Sequence, residues 1–457
     1  MANLSVHSVR TALGALCATV CAASVHAQQL PPIHALGPVE HASKDLLGAV
    51  SSVRALPGGR VLVNDNGGRK VVLFDPALAR FSVVADTTSA TANAYSSRAA
   101  GLIAYKGDST LIVDPVSLSM LVIDGAGAVA RVMSVPRPSD ASALIGGSTG
   151  TPAFDARGRL VYRAPPLFNF PKRSGDGPIQ PPAFPDTAPL VRIDLATRKV
   201  DTIGYLKIAK INMSMTQDAN GRMSMSSITN PMPVTDDWAV LADGSVALLR
   251  GQDYHIDWIR VDGQMQPTPK VPFAWRHMTD SSKAAFIDSA KTAMEKLREQ
   301  FNAQRAAGGN MPNIMGPPDG GGAGGGMVVM FGMERKGGAE THERGGPPTG
   351  GPAPVSQTLP PLQFVAPNEL PDYAPPFTAG SARGDADGNL WVRTSNVLNG
   401  GSVYDVINGK GELIDRVVVP PGRVIAGFGA GGVVYMGVRE LAGVRLEQAR
   451  RSQVSLP

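Results

Sequence analysis

Hydrophobic residues in this chain recur in short alternating runs that end at Gly-rich, Asp-Gly or acidic turns, a pattern typical of β-strands. Two of these runs, residues 62–65 and 111–114, match in pattern at an offset of 49 positions. The strand that follows keeps this spacing, because Asp75 and Asp124 also lie 49 positions apart. A constant offset of this size predicts a repeated strand-turn-strand unit.

Six such units can be aligned along the chain. Each opens on a Gly or Asp-Gly turn that leads into a strand of β-branched or aromatic residues. The turns begin at Gly58, Gly107, Asp155, Asp243, Asp385 and Gly431. Six units of four strands predict an all-β fold, the six-bladed β-propeller. A β-sandwich of six strand pairs is the alternative, but it does not account for the constant offset.

The last unit stops before its fourth strand, near Arg450 and Arg451. Residues 33–50 precede the first full blade, and we expect them to supply the missing outer strand of the last blade. Such a strand would close the ring with the other end of the chain and leave no open sheet edge.

Three insertions interrupt the repeat. Residues 164–189 are rich in Pro and Phe and predict an irregular loop, whereas residues 204–235 predict a Met-rich hairpin. Residues 275–360 predict a helix, capped by Thr279 or Asp280, and then a Gly/Pro-rich loop of low complexity that we expect to be disordered. In a propeller, the loops within and between blades that these insertions extend open on one face. All three are therefore expected at one mouth of the central channel, where loops commonly carry function.

The first residues of the chain are typical of an export signal, with an apolar run and a small-residue end at residues 25–27. Residues 1–27 are therefore interpreted as a signal peptide, and residues 28–457 as the propeller of a periplasmic or secreted protein. Both cysteines, Cys17 and Cys21, lie inside this signal, so the mature chain is expected to contain no disulfide.

Charge and hydropathy exclude two classes of partner. The formal net charge is +5, and no Lys/Arg run interleaved with aromatic residues indicates nucleic-acid binding. No stretch after the signal approaches the ~20 apolar residues that a membrane span needs.

Three lines of sequence resemble the exported six-bladed β-propeller proteins of bacteria, which are related in shape to the NHL and TolB-like groups. These lines are Asp385-x-Asp387-Gly388-x-Leu390-Trp391-Val392-Arg393, Tyr404-Asp405-Val406 and the stretch 427–435. The resemblance covers roughly residues 30–270 and 360–450. Its motifs form blades, so it implies a fold and an exported location but no particular activity.

Charged residues end the predicted second strand of each blade, beside the expected mouth, and four of them are arginines. Converging guanidinium groups suit a carboxylate, phosphate or sugar-acid ligand, because each offers paired donors and a permanent charge. The sequence therefore predicts a site for a small anionic or polar ligand, or for a partner protein. The alternative is that these groups form ordinary ion pairs between blades, and a slip of one residue in the alignment would turn a side chain to the opposite face. The predicted ligand-binding residues are Asp65, Asp114, Arg163, Arg250, Tyr254, Arg393 and Arg439.

A catalytic role is a second hypothesis. The fourth blade places a histidine beside carboxylates, where it can act as a general base. The candidates are His255, Asp253, Asp236 and Asp237. A metal-dependent hydrolase of the lactonase or esterase kind would need a divalent cation at the channel centre, which the arginines would repel. Familiar hydrolase and zinc-site motifs are absent from the sequence, which therefore assigns no reaction.

A third hypothesis is a Cu(I)-binding module formed by two Met-x-Met pairs on the arms of the predicted hairpin, Met213, Met215, Met223 and Met225. Methionine also fills irregular apolar surfaces, which is the alternative reading of the same residues. No resident cofactor is predicted, and a divalent cation or Cu(I) enters only through these alternatives.

Overall fold

The computed structural model describes residues 30–88, 93–96, 101–167, 184–217, 223–306 and 362–452. Within these ranges, six antiparallel sheets follow one another along the chain, and each forms one blade of a six-bladed β-propeller. The fold predicted from the repeated turns is therefore confirmed. The export signal expected in residues 1–27 lies outside the described residues.

The first half of the chain forms two short strands and three blades. Strands β1 (Ile33–Ala35) and β2 (Val39–Ala42) come first. Blade 1 contains β3 (Val50–Ala55), β4 (Val61–Asp65), β5 (Lys70–Phe74) and β6 (Phe81–Asp86). Blade 2 contains β7 (Leu102–Ala104), β8 (Thr110–Asp114), β9 (Ser119–Ile123) and β10 (Val129–Ser134). Blade 3 contains β11 (Ala153–Phe154), β12 (Leu160–Arg163), β13 (Thr187–Ile193) and β14 (Val200–Lys207).

The second half adds a hairpin, a helix and three further blades. The hairpin consists of β15 (Asn212–Gln217) and β16 (Met223–Thr229). Blade 4 contains β17 (Asp237–Val240), β18 (Val246–Arg250), β19 (His255–Ile259) and β20 (Met265–Pro267). Helix α1 (Asp280–Ala306) and β21 (Gln363–Phe364) precede blade 5, which contains β22 (Phe377–Gly384), β23 (Leu390–Leu398), β24 (Gly401–Ile407) and β25 (Leu413–Val419). Blade 6 contains β26 (Arg423–Gly429), β27 (Val433–Glu440) and β28 (Gly443–Arg450).

The core lies between neighbouring blades. Successive residues of a strand point to opposite sides, so Val61 packs against Tyr435 of blade 6 while Leu62 packs against Ile112 of blade 2. Both Val61 and Leu62 are fully buried. This double burial explains why the second strands are continuously apolar.

Asp-Gly turns connect the strands at one end of the blades. In blade 5 the Asp385 Oδ1 accepts hydrogen bonds from the backbone N–H groups of Asp387 and Asn389, at 3.0 and 2.7 Å. Gly388 has a φ of 85°, a conformation that favours glycine. The turn is thus held by its own side chain, as is typical of Asx turns.

The N-terminal strands close the ring. Strand β2 pairs antiparallel with β28 and completes blade 6, which confirms the expectation for residues 33–50. Ser43 strengthens this closure, because its N–H donates to the Leu446 carbonyl at 2.8 Å and its Oγ accepts from the Leu446 N–H at 3.1 Å. Strand β1 pairs parallel with β25 and adds a fifth strand to blade 5, which the sequence did not predict. The N-terminal segment therefore forms strand pairs with both blade 5 and blade 6.

Helix α1 confirms the predicted helix and its cap. The Thr279 Oγ1 accepts a hydrogen bond from the Ser282 N–H at 3.3 Å, as an N-cap residue does. Phe286 packs against a small apolar cluster that contains Met232 and Leu370, and Ala290 is buried. Ala293 and Leu297 continue the same stripe but are exposed, so the stripe leaves this cluster after Ala290.

The second insertion contains the predicted hairpin, in which Met215 pairs with Met225. Strand β21 pairs parallel with β16 and extends this small sheet. Three parts of the insertions lie outside the described residues. They are the methionine side chains of the hairpin, residues 168–183 of the first insertion and residues 307–361 of the third. In the part of the chain that the structure describes, no helix is long and apolar enough to cross a membrane.

Candidate functional site

The three insertions open on one face of the propeller, here called the loop face. The first lies between β12 and β13, the second between β14 and β17, and the third between β20 and β22. Loops between the second and third strands of a blade and loops between blades emerge on the same side, because each strand reverses the direction of the one before it. The element order therefore agrees with the expectation that all three insertions lie at one end of the channel.

The six charged residues predicted at the strand ends do not share one register position. Counted from the start of the second strand, Asp65, Asp114 and Arg250 occupy position five. Arg163 and Arg393 occupy position four, one residue earlier. Adjacent positions point to opposite sides of a blade, so the two groups face different neighbours.

Asp65 and Asp114 hold the connections at the loop face. The Asp65 Oδ1 accepts hydrogen bonds from the backbone N–H of Ala49 at 2.8 Å and of Gly68 at 2.7 Å. Asp114 accepts from the Ser96 N–H at 2.9 Å and from the Ser117 hydroxyl at 2.6 Å. Each carboxylate thus joins its hairpin to the segment that enters its blade.

Arg250 is neutralised by two carboxylates at the boundary between blades 3 and 4. Its Nη1 lies 2.8 Å from Asp236 Oδ2, and its Nε lies 2.8 Å from Asp257 Oδ2. Nη1 also donates to the Tyr205 carbonyl of blade 3 at 2.9 Å. Hydrogen bonds to these two carboxylates oppose the effect of burial and raise the pKa of Arg250. The side chain therefore ties two blades together.

His255 lies between two carboxylates on the same blade. Its Nδ1 is 2.5 Å from Asp253 Oδ1, and its Nε2 is 3.4 Å from Asp257 Oδ1. Lys270 lies 3.6 Å from the other oxygen of Asp253. Both ring nitrogens of the histidine are thus directed at protein carboxylates.

Tyr254 is fully buried between blades 4 and 5. Its hydroxyl donates to Asp405 Oδ2 at 2.8 Å, and its ring packs against Phe273 and Phe377. Arg439, by contrast, lies near the tip of the β27–β28 hairpin and is exposed. The structure therefore does not bring these two predicted residues to one site.

A second group of charges meets at the channel. Asp237 begins β17, the innermost strand of blade 4, and is only 2% exposed. Its Oδ2 accepts a hydrogen bond from the Ala382 N–H of β22 at 2.8 Å, across the boundary with blade 5. Burial lowers the pKa of Arg163 of blade 3 and of Arg383 of blade 5, and the charge of Asp237 opposes this shift in both. Since these blades are not adjacent, the charges approach one another at the channel.

We call Arg163, Asp237, Arg383 and Arg393 the channel cluster. Arg383 and Arg393 lie on the same side of blade 5, close to the Tyr404 ring. All three arginines are partly buried, and within the described part of the chain none of their guanidinium groups forms a hydrogen bond or an ion pair. Burial lowers the pKa of Arg163 and of Arg383, and the nearby Arg393 lowers that of Arg383 further.

Burial has the opposite effect on the carboxylate of the cluster. Removal from water raises the pKa of Asp237 to about 6, although hydrogen bonds from Ala382 and Trp238 and the charge of Arg163 oppose the shift. Asp237 is therefore mostly ionised at neutral pH and becomes neutral in mild acid. Around neutrality, the negative charge of Asp237 acts on two of the three guanidinium groups, those of Arg163 and Arg383.

Three members of the channel cluster were candidates from the sequence, and Arg383 was not. The arginine candidates were taken from the ends of the second strands, whereas Arg383 lies near the end of a first strand. The available signal was that Arg383 is the one charged residue of β22.

A turn narrows the loop-face end of the channel. The Gly147–Thr149 turn reaches from the entry to blade 3 to a bulge in β22 of blade 5. At Gly380 a Cβ atom would lie 2.8 Å from the Gly147 carbonyl oxygen, so only glycine allows this approach. The Trp238 Nε1 donates to the Thr149 carbonyl at 2.8 Å and fixes the turn.

The described residues provide no arrangement of ligands that supports the metal or the copper hypothesis. Among the described residues, no group of three or more His, Cys, Asp and Glu side chains could hold a metal ion. The side chains of Met213, Met215, Met223 and Met225 lie outside the described residues, so the Cu(I) hypothesis stays a prediction.

The sequence matches no family model and no curated protein. Solved structures with a similar fold include a virginiamycin B lyase from Staphylococcus aureus, at 8% identity and a TM-score of 0.36 over 90% of this chain and 98% of that one. A PQQ-bound aldose sugar dehydrogenase from Streptomyces coelicolor has 10% identity and a TM-score of 0.37 over 93% and 100%. A Bacteroides fragilis protein described as exported has 10% identity and a TM-score of 0.38 over 92% and 95%. Sequence identities and TM-scores this low support no statement about function. The propeller assignment rests on the sheet topology of this chain.

Proposed function

We propose that this protein binds a small anionic ligand in its channel through Arg163, Arg383 and Arg393. The observation that carries the proposal is that these three guanidinium groups have no hydrogen-bond acceptor in the described chain. The charge of Asp237 acts on Arg163 and on Arg383, and Arg383 and Arg393 lie on one side of blade 5. Partly burying a charge is unfavourable unless the charge is paired and hydrogen-bonded. An anion would supply the missing acceptors.

The chemistry of the cluster favours a carboxylate or phosphate compound. Guanidinium groups offer parallel donors that match the oxygens of such anions and keep their charge at physiological pH. The Gly147–Thr149 turn contacts β22 closely at the loop-face end of the channel. This close contact favours a small ligand over an extended one.

An exported location fits this binding function. The signal-like pattern of residues 1–27 supports a periplasmic or secreted protein, where the channel would meet small solutes from outside the cytoplasm. A ligand-binding propeller needs only the scaffold and the channel cluster.

The proposal is tested by isothermal titration of the mature chain with sodium sulfate and with citrate at neutral pH and low salt. We expect saturable binding that Arg163→Gln and Arg383→Gln each weaken by about tenfold or more, since each removes a charge-assisted pair. Arg157→Gln is the matched control, because Arg157 is exposed on the opposite face of the propeller.

Equal affinities for the Arg383→Gln variant and the native chain would remove the basis of the proposal. The same holds if Arg157→Gln weakens binding as strongly as Arg383→Gln. Thermal unfolding of each variant shows whether the propeller is intact, so that lost binding is not confused with lost fold.

A further inference from the structure

Exposed apolar side chains are distributed unequally between the two faces of the propeller. On the loop face, large aliphatic residues stand at or beside the hairpin tips of four blades. They are Val116 and Leu118 in blade 2, Leu167 in blade 3, Val397 and Leu398 in blade 5, and Leu441 in blade 6. Val116 is 59% exposed, Leu167 is 82% exposed, and Leu441 is fully exposed. Trp275 and Tyr373 add two exposed rings to the same face, in the connection between blades 4 and 5.

The opposite face provides an internal comparison, because the same blades turn there with the same strand geometry. Its turns are built on acidic or amide residues, such as Asp155, Asp385 and Asn408, that accept hydrogen bonds from their own backbone. Among the described turns of this face, Val261 is the one large apolar residue that is exposed. Propeller turns therefore do not require apolar tips, and the tips of the loop face need another explanation.

Unpaired cations accompany the apolar tips. Arg69 and Arg439 lie at the hairpin tips of blades 1 and 6, and Arg276 lies beside Trp275. All three are exposed, and in the described part of the chain their side chains form no ion pair. Three carboxylates of this face are neutralised by neighbours instead. Asp253 pairs with Lys270, Asp372 with Lys283 and Glu440 with Arg445.

We propose that the loop face docks on the surface of an anionic lipid bilayer, with the aliphatic tips in the headgroup region and the arginines on lipid phosphates. Aliphatic side chains that reach the boundary of the acyl chains and basic groups that meet anionic headgroups together give reversible binding. The inference goes beyond the anion site of the channel and does not depend on it.

The arrangement of the tips favours a bilayer over a protein partner. The turns between the second and third strands of all blades lie at the same face, so the tips stand in a ring around the channel. A protein interface has a contiguous apolar core with a polar rim. Here the exposed aliphatic residues belong to four separate blades, and polar residues such as Ser117 and Asn399 lie beside them.

Co-sedimentation of the mature chain with lipid vesicles tests the proposal. We expect binding to vesicles of phosphatidylglycerol mixed with phosphatidylcholine, and little binding to phosphatidylcholine alone. The double variant Leu398→Ser/Leu441→Ser is expected to lower the partition coefficient by about tenfold or more, because two leucines no longer leave water. Val261→Ser/Met265→Ser removes two exposed apolar residues from blade 4 at the opposite face and should leave binding unchanged.

Arg69→Gln/Arg439→Gln tests the charge component. We expect this variant to bind mixed vesicles less tightly and to lose part of the salt dependence of binding. The proposal is overturned if the native chain does not bind mixed vesicles, or if the variants of both faces bind equally. It is also overturned if the leucine variant changes only the molar mass of the protein in solution, because the tips would then contact a second copy of the chain.

Discussion

A single buried carboxylate controls the electrostatics of the channel cluster. Asp237 lies between Arg163 and Arg383 and is the one acidic member of the cluster. When it is ionised, it partly neutralises the guanidinium groups and repels an entering anion. When it is protonated, the full positive charge of the three arginines is available to a ligand.

The raised pKa of Asp237 therefore predicts pH-dependent binding. The arginines stay charged, whereas Asp237, with a pKa of about 6, loses its negative charge as the pH falls through that value. Anion affinity should rise as the pH is lowered from 8 to 5, by about tenfold, the usual scale of coupling between neighbouring charges. Sulfate is the suitable probe for calorimetric titration, because its own charge is constant over this range.

Asp237→Asn provides the matched control for this pH dependence. The amide keeps an oxygen for the Ala382 N–H but carries no charge at any pH. Its sulfate affinity should be high and flat across the range. A variant that keeps the native pH profile would show that another group titrates.

Three of the four residues of the channel cluster were named from the sequence, but their grouping was not predicted. Arg163, Arg393 and Asp237 were candidates, yet Arg163 and Arg393 were aligned with Arg250, which lies one register position later and faces another blade. A period of two makes a slip of one residue decisive. Whether an arginine is neutralised, as Arg250 is by Asp236, depends on partners that are close only after folding.

The N-terminal strands are the elements on which the ring depends most directly. Strand β2 completes blade 6, and the hydrogen bonds of Ser43 to Leu446 extend that closure beyond the strand itself. Strand β1 reaches the edge of blade 5 and so secures the neighbouring blade. Covering both edges with one segment protects two sheets from pairing with other chains.

Ser43→Pro should weaken this closure strongly. Proline removes the N–H that donates to the Leu446 carbonyl at 2.8 Å and fixes φ. We expect the free energy of unfolding to fall by about 3 kcal/mol, measured by urea denaturation. Ser43→Ala keeps that N–H and loses the two hydrogen bonds of the hydroxyl, the one from the Leu446 N–H and the one to the Asp45 carbonyl, so its loss should be about 1–2 kcal/mol. Equal stability of the proline variant and the native chain would mean that closure contributes little.

Helices and strands were predicted correctly where residues close together in the sequence specify them. The cap at Thr279 and the apolar positions of Phe286 and Ala290 defined helix α1, and the incomplete last unit indicated a closing strand. Strand β1 was missed because it is three residues long and pairs with residues far along the chain. A strand that pairs with a distant part of the chain does not show the spacing of the repeat in the sequence.

For the whole molecule, the repeat predicted the fold because its turns and alternating strands are each specified by nearby residues. The Asp385 turn and the continuously apolar second strands are examples. The channel cluster is different, since it assembles residues from blades 3, 4 and 5. Its geometry follows from how the blades close into a ring, which no single repeat encodes.

The proposed function requires that an anion binds between Arg163 and Arg383 inside the channel. The most direct measurement is the anomalous scattering of selenium in crystals soaked with selenate, a stable analogue of sulfate. We expect an anomalous peak within the channel, in contact with both guanidinium groups, that is absent from crystals of Arg383→Gln. Selenate bound only at surface arginines such as Arg157, with an empty channel, would contradict it.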